Sequence, residues 1–364
     1  MQEFKFCNVY RALDKTTQFI IRDVIETGSQ DPVDVVFRVV LFNTFTRIET
    51  YKRLEEELGP LTWKTFDRNT YEAVLEQVRE EEQKGLFTGA FQKPQPQFHE
   101  GGHLRNHLCL VENLMVNNLA GFLKQASYLA DVFEWILSFP GQGDFTAYQL
   151  LLNLSYTSVL NFSDLDFVIC GPGSRSGLSK LFPGICLPEM EEPVIRWLVE
   201  TQDDHFARLG LSFNGLGPDR LPLRLADMEH LLCEVDKYAR IAHPTVKATY
   251  GPQHTRILRG SKFEPSDDQF PSEPYLPTAW SHPDRQIVRI KPGPRMKLDK
   301  RYVVKKIVDQ QKVDGQLQYL IEWWGYSMDD ATWENVEDIQ KDAPIAVEEY
   351  KARKKQERSR KRRR

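Results

Sequence analysis

Arg301-Tyr-Val-Val-Lys-Lys-Ile-Val-Asp309, Gln318-Tyr-Leu-Ile-Glu-Trp-Trp-Gly-Tyr326 and Ala331-Thr-Trp-Glu334 decide the fold of the C-terminal part of the chain. In the first stretch Tyr302, Val304 and Ile307 alternate with charged positions, the spacing of a half-buried strand. Between the first two stretches stands Asp314-Gly315, a dipeptide suited to a tight hairpin turn. Leu317–Trp324 reads as a second strand and Ala331–Glu334 as a third. Ala343–Lys351 then has helical spacing, with Ile345, Val347 and Tyr350 placed to pack on the sheet. A small β+α domain over residues 298–352 follows: a three-stranded antiparallel sheet with a C-terminal helix.

These same residues resemble chromodomains of the heterochromatin-protein type. The resemblance places a methyl-lysine cage at Tyr302, Trp323 and Tyr326. It also implies histone-peptide contacts at Asp330, Thr332, Glu334 and Asp338, and a methylated histone tail as partner. The chemistry fits the residue types, because a trimethylammonium group donates no hydrogen bond. An aromatic box instead attracts it by cation–π interaction, worth about 2 kcal/mol or more when desolvated. The peptide would add a strand and gain main-chain hydrogen bonds. Strand alternation lets only one of Trp323 and Trp324 face the cage, and Trp333 is expected to fill the small core. One departure from the family pattern precedes the cage: Lys297, Lys300 and Arg301 stand where acidic residues are usual, with only Asp299 acidic. A basic flank repels a basic tail, which leaves the choice of mark open.

Beyond this domain the charge changes abruptly. Lys351–Arg364 holds ten basic residues and one acid, leaving 38 basic and 51 acidic residues in the rest. A basic tail at residues 353–364 reads as a nuclear localisation signal or a phosphate-binding arm, against the plainer reading of a solvated, disordered end. The expected location is the nucleus, with DNA as a further partner.

Upstream, residues 246–297 are Pro-rich and polar, with eight of the chain's 21 prolines. They read as a mostly extended linker, within which Tyr275-Leu-Pro-Thr-Ala-Trp280 could dock back. Residues 1–245 read as a mainly α domain. Asp31-Pro32 supplies an N-cap and a first-turn proline, and Val35, Val36, Val39 and Val40 form an apolar stripe behind it. Helices are expected over Arg47–Leu58, Tyr128–Phe139 and on to about Leu154. Pro140-Gly-Gln-Gly143 between the last two suits a helix–hairpin–helix element, with Gly141, Gln142, Gly143 and Thr146 as candidate DNA contacts.

Asp31–Leu58 resembles the opening helices of helix–hairpin–helix DNA glycosylases. Leu41–Thr50, Leu86–Phe91, Pro140–Gln149 and Asp166–Gly173 are more closely similar to the helical domain of 5-hydroxymethyl-deoxyuridine DNA kinases. That family is also described as α-glutamyl/putrescinyl thymine pyrophosphorylases. The resemblance implies a glycosylase-like fold acting on modified thymine-type bases. The hairpin helix, however, carries no Lys at Thr146-Ala-Tyr148, and no acid stands at Cys170-Gly171. Nor does a GxxxxGK[ST] phosphate loop occur anywhere. Weak catalytic candidates are Asp166, Arg175 and Lys180, the last two beside Gly171-Pro-Gly-Ser-Arg-Ser-Gly177, which reads as a phosphate cradle or an ordinary Gly-rich loop.

His99, His103, His107 and Cys109 invite a zinc reading. Gly101-Gly102 interrupts the helix it would need, so surface or capping histidines are expected and no metal. The five cysteines are scattered without a CxxC pair, which suits reduced thiols. No cofactor is implied. The longest apolar run, around Val33–Phe42, is broken by Asp34 and Arg38 and is far short of a membrane span. Charges in Met1–Phe6 argue against a signal peptide, so a soluble intracellular chain is expected. The combined reading is a nuclear chromatin-associated protein whose chromodomain tethers a domain that binds DNA or a modified base. The alternatives are an enzyme modifying hydroxymethylated pyrimidines in DNA and, last, a mobile-element accessory protein.

Overall fold

A computed structural model describes residues 6–82, 85–89, 93–98, 101–184, 188–251, 274–293 and 301–362. In chain order the helices are α1 (Lys15–Phe19), α2 (Pro32–Phe45), α3 (Ile48–Leu58), α4 (Arg68–Glu82), α5 (His103–Val116), α6 (Leu119–Gln125) and α7 (Leu129–Leu137). They continue with α8 (Asp144–Leu154), α9 (Pro172–Leu181), α10 (Glu191–Glu200), α11 (Gln202–Arg208) and α12 (Leu225–Ala242). Strands β1 (Val304–Val313), β2 (Gln316–Trp323) and β3 (Thr332–Asn335) follow, then α13 (Val336–Asp342) and α14 (Pro344–Arg362). The chain is thus helical before a C-terminal β+α domain, as the sequence patterns predict.

The chain divides into two compact units. The first comprises residues 1–26, 128–130 and 144–293; the second comprises 27–127, 131–143 and 294–364.

In the first unit α9 lies against α12. The contact is close enough that a Cβ on Gly177 would stand 2.0 Å from the Leu232 carbonyl oxygen, and one on Gly173 2.4 Å from Cys233 Sγ. The Gly-rich stretch is therefore a helix with a flat face for a second helix, not a phosphate-binding loop. The α9 N-terminus already holds an anion: the buried Glu229 carboxylate accepts from Gly171 N–H (2.8 Å) and from the Ser174 hydroxyl. Part of the expected linker belongs here as well. Gln18 accepts from Tyr275 N–H (2.9 Å), and Arg285 donates to the carbonyls of Ser155, Thr157 and Leu160 at 2.6–3.0 Å. Residues 274–293 are seated on the helices; 252–273 and 294–297 lie outside the described residues.

In the second unit Asp31 caps α2 by accepting Val33 N–H at 2.8 Å, with Pro32 at the first helical position. The Val35, Val36, Val39 and Val40 stripe is buried. Phe37 meets Trp63, Phe66 and Tyr71 in an aromatic cluster that joins α2 to α4.

The sheet has the order β1-β2-β3, all antiparallel. Val313 pairs with Gln316, so the loop is the two residues Asp314 and Gly315, both with positive φ (49° and 85°). That geometry matches the right-handed strand twist and favours Asp-Gly. The core comprises Val304, Ile307, Tyr319, Ile321, Ile339, Ala343, Ala346, Val347 and Tyr350, with Val116 of α5 packed against it. Two expectations change. Trp333 is 38 % exposed and does not fill the core. The last helix extends past Lys351, where its apolar spacing ends, to Arg362: Arg353 donates to the Ile307 carbonyl and Lys354 approaches Asp309 at 3.3 Å.

Candidate functional site

β1 and β2 bring three aromatic residues to one corner of the sheet. Tyr302 immediately precedes β1, and Trp323 ends β2. Gly325, at φ +82°, then turns the chain so that Tyr326 N–H reaches the Trp323 carbonyl (3.3 Å). The Tyr302 ring lies 6.1 Å from Trp323 and 5.6 Å from Tyr326, centroid to centroid. Tyr302 is 65 % exposed and Tyr326 49 %. Desolvation and the neighbouring Tyr302 phenol raise the Tyr326 pKa, so Tyr326 stays neutral. Open ring faces without a buried charge can receive a cation.

A relay of hydrogen bonds fixes the Trp323 ring. Its Nε1–H donates to Thr332 Oγ1 (2.9 Å), whose hydroxyl donates to Glu334 Oε1 (2.6 Å). Two residues expected to grip a peptide thus buttress the cage from β3. Asp330 accepts from the backbone N–H and hydroxyl of Ser327 (3.0 and 2.8 Å), which shapes the loop beside the cage. Asp338 is exposed on α13.

Trp324 points to the other face, as alternation requires. Its ring meets Phe98 at 6.1 Å, with the Arg68 guanidinium at 4.8 Å and the Lys305 ammonium at 5.3 Å. Arg301 is likewise directed into the second unit. Its N–H bonds the Ser138 carbonyl (2.8 Å), and its guanidinium lies 5.0 Å from both Trp135 and Phe139. The residue read as a repulsive basic flank is therefore an anchor on α7. Lys297, Asp299 and Lys300 lie outside the described residues.

The first unit contains a cavity of about 120 Å³, lined by Tyr10, Asp164, Arg224, Asp227, Trp280 and Arg285 among others. Burial pushes Asp227 up to about 6 and raises Asp164 as well. Trp280 Nε1 is buried without a hydrogen-bond partner among the described residues. No local pattern announces this cavity, because Tyr10, Asp164, Asp227 and Trp280 come from four distant segments.

The three weak catalytic candidates are not brought together. Asp166 is buried and accepts from Ser163 N–H (3.1 Å) and Arg289 N–H (2.6 Å). Arg175 forks onto Glu191 at 2.5 and 3.0 Å. Lys180 pairs with the fully buried Asp236 at 2.6 Å. Among the candidate DNA contacts, Gln142 and Thr146 are buried, and Gly141 lies so close to Pro96 that a Cβ would stand 2.6 Å from its Cα. Only Gly143 is exposed. His103 and His107 pack on each other (4.6 Å) and on Phe87. Burial, with His103 and Lys93 nearby, holds His107 at about 3, so it is a neutral interior residue, not a surface one. His99 lies outside the described residues.

The sequence profile of the 5-hmdU DNA kinase helical domain matches residues 1–248. The chain belongs to that family. The profile of the Chromo (chromatin organisation modifier) domain matches residues 302–353, which contain the three-ring corner. No solved structure is significantly similar to the chain. The chain therefore joins a 5-hmdU DNA kinase-type helical domain to a chromodomain, which associates it with chromatin. Among the described residues no helix is long and apolar enough to cross a membrane.

Proposed function

We propose that the chromodomain receives a methylated histone lysine between Tyr302, Trp323 and Tyr326 and so holds the helical domain on chromatin in the nucleus. The observation that carries this reading is the convergence of three rings at one corner, two of them exposed. A small domain gains by burying aromatic surface, yet it leaves Tyr302 and Tyr326 open while Tyr319 and Tyr350 fill the core. The acidic side chains of Asp330, Glu334 and Asp338 lie on or near the cage-side elements, where they suit a basic tail. The test is titration of trimethylated and unmodified histone peptides into the full chain. Trp323→Ala should weaken the methylated peptide at least about thirty-fold, the equivalent of about 2 kcal/mol. Equal binding of methylated and unmodified peptides by the wild type would defeat the reading.

A second reading is favoured by the cavity of the first unit. Two carboxyl groups raised by burial, beside two arginines and an indole N–H, are a candidate site for a polar base extruded from a duplex. On this reading Asp164 and Asp227 displace Asp166, Arg175 and Lys180 as the residues to test. Duplex DNA containing 5-hydroxymethyluracil, incubated with and without nucleotide, would be digested and its nucleosides weighed. A new mass that disappears with Asp227→Asn would establish an enzyme. Unchanged DNA bound in a salt-sensitive way would leave a binding domain.

A further inference from the structure

Apart from the cavity, the first unit brings together three side chains with metal-ligating atoms. Cys7 precedes the first helical turn, Asp14 stands just before α1, and His230 lies on α12. Their ligand atoms (a thiol sulfur, a carboxylate oxygen and an imidazole nitrogen) all fall within 4.8 Å of one another. His230 Nε2 is 3.5 Å from Asp14 Oδ2. A tetrahedral zinc ion at ordinary bond lengths sets such atoms roughly 3.3–3.6 Å apart. The His–Asp pair already has that spacing, and the thiol, within 4.8 Å of both, needs to close by at most about 1.5 Å.

An independent observation points to a ligand. His230 is 8 % exposed, and its Nε2 is buried with no hydrogen-bond partner among the described residues. An orphaned buried ring nitrogen is costly unless something fills its lone pair.

The surroundings hold the other two ligands in place. Asp14 Oδ1 accepts both the backbone N–H and the side-chain amide of Asn8 at 3.2 Å, leaving Oδ2 turned to His230. Glu234, one turn after His230 on α12, accepts Cys7 N–H at 3.3 Å and also pairs with Lys237. Such outer contacts are the usual means of fixing a ligand set.

We propose that Cys7, Asp14 and His230 bind one zinc ion, which clips the N-terminal segment onto α12. Cys7 is exposed, so the fourth position faces water, consistent with three protein ligands. The thiolate and carboxylate balance the charge of the ion. A clip between such distant points of the chain constrains a long loop of the unfolded state. The sequence does not announce this site, because Cys7 belongs to no CxxC pair and His230 lies at the far end of the helical domain.

The test uses the full chain, stripped by chelator and titrated with cobalt(II). One equivalent should produce the intense near-ultraviolet band of a thiolate–cobalt bond together with tetrahedral d–d absorption. Cys7→Ser should lose the thiolate band, and His230→Ala should lose binding. Asp14→Asn should weaken affinity by about ten-fold or more, since even outer contacts cost that much. Zinc returned to the stripped wild type should raise its melting temperature, a readout that needs no variant to fold. No cobalt–thiolate band in the wild type would overturn the proposal, as would equal cobalt binding by Cys7→Ser with unchanged far-ultraviolet dichroism.

Discussion

The cage of the chromodomain and the interior of the first unit treat charge in opposite ways. The cage holds two exposed rings beside the half-buried Trp323 and leaves the cation to be supplied by a partner. The first unit encloses charges of its own, and two of its buried carboxylates are satisfied internally. Asp236 is surrounded by Lys180, Ser176 and Arg240, and Glu229 by Gly171 and Ser174. Ring faces are left unfilled in the cage, whereas the hydrogen-bonding capacity of these two carboxylates is consumed by folding. Substitutions in the first unit should therefore cost stability, and those in the cage should cost binding.

The largest effect is expected at Lys180. Lys180→Met leaves the Asp236 carboxylate, which is fully buried, with Ser176 and Arg240 alone. Breaking a buried pair from one side costs about 3–5 kcal/mol, and the surviving partners favour the lower end. Burial pushes the Asp236 pKa up, but hydrogen bonds from Lys180, Ser176 and Arg240 bring it below the ordinary carboxylate value. Its stabilisation is therefore present above that ordinary value and is lost as pH falls through the depressed one. Denaturant titration should show the loss at neutral pH, with methyl-lysine peptide affinity unchanged. A loss under about 1 kcal/mol would mean that the pair is not the fold's support.

Asp227 tests the same contrast with the opposite sign. Burial raises it from 3.8 to about 6, so the folded state holds its proton more tightly than the unfolded chain does. Stability is full below about 4 and declines as pH rises through 6, by at most about 3 kcal/mol for a shift of this size. Asp227→Asn keeps one acceptor, for Arg11 N–H (2.9 Å), and loses the acceptor of Arg224 N–H (3.0 Å); it should lower stability overall and flatten this window in denaturation midpoints measured from pH 4 to 7. An unchanged slope would move the titration to other groups of the cavity.

The same contrast explains what could be read from the sequence. The chromodomain is local in the chain: its turn, strands and cage residues fall within about fifty positions, and strand alternation alone separates Trp323 from Trp324. Asp314-Gly315 specified its hairpin because few other dipeptides take positive φ twice. In the helical domain local signals worked where the physics is local, as at the Asp31-Pro32 helix start. They failed where meaning depends on distant partners. Gly173 and Gly177 read as a loop because the reason for them is α12, some fifty residues later. Arg301 read as a repulsive flank because Trp135 and Phe139, which receive it, carry no mark of that role. The cavity and the Cys7–Asp14–His230 cluster are assembled wholly from such distances.

The two neighbouring tryptophans allow the comparison to be sharpened within one strand end. Trp323→Ala should abolish selective peptide binding and lower the denaturation midpoint as well, since the half-buried ring packs against the sheet core. Trp324→Ala should lower the midpoint alone, removing the contact with Phe98 and the cation–π contact with Arg68, while peptide affinity stays within about three-fold. Calorimetric titration and thermal melts of both variants separate the roles. Loss of binding in Trp324→Ala would show that the cage depends on its docked back face.

The smallest effect is expected on the last helix, where Arg353 and Lys354 differ although they are adjacent. The Arg353 guanidinium reaches the Ile307 carbonyl and lies 5.4 Å from the Tyr350 ring, so it caps a β1 acceptor at a partly buried point. Arg353→Ala should cost about 1 kcal/mol, because it removes a charge-assisted bond to a carbonyl that water then reaches imperfectly. Lys354 faces Asp309 across 3.3 Å, half-buried itself and 5.4 Å from the Tyr350 ring, while its partner is exposed and solvent and salt screen the pair. Lys354→Ala should leave the midpoint unchanged, and added salt should not alter the wild-type contribution. The helix would then be held to the sheet by packing and one carbonyl bond, with its positive charge uncommitted to folding. If instead Lys354→Ala destabilises as much as Arg353→Ala, the charge at the start of the basic tail is structural, and its contribution to any DNA binding must be read from residues after it.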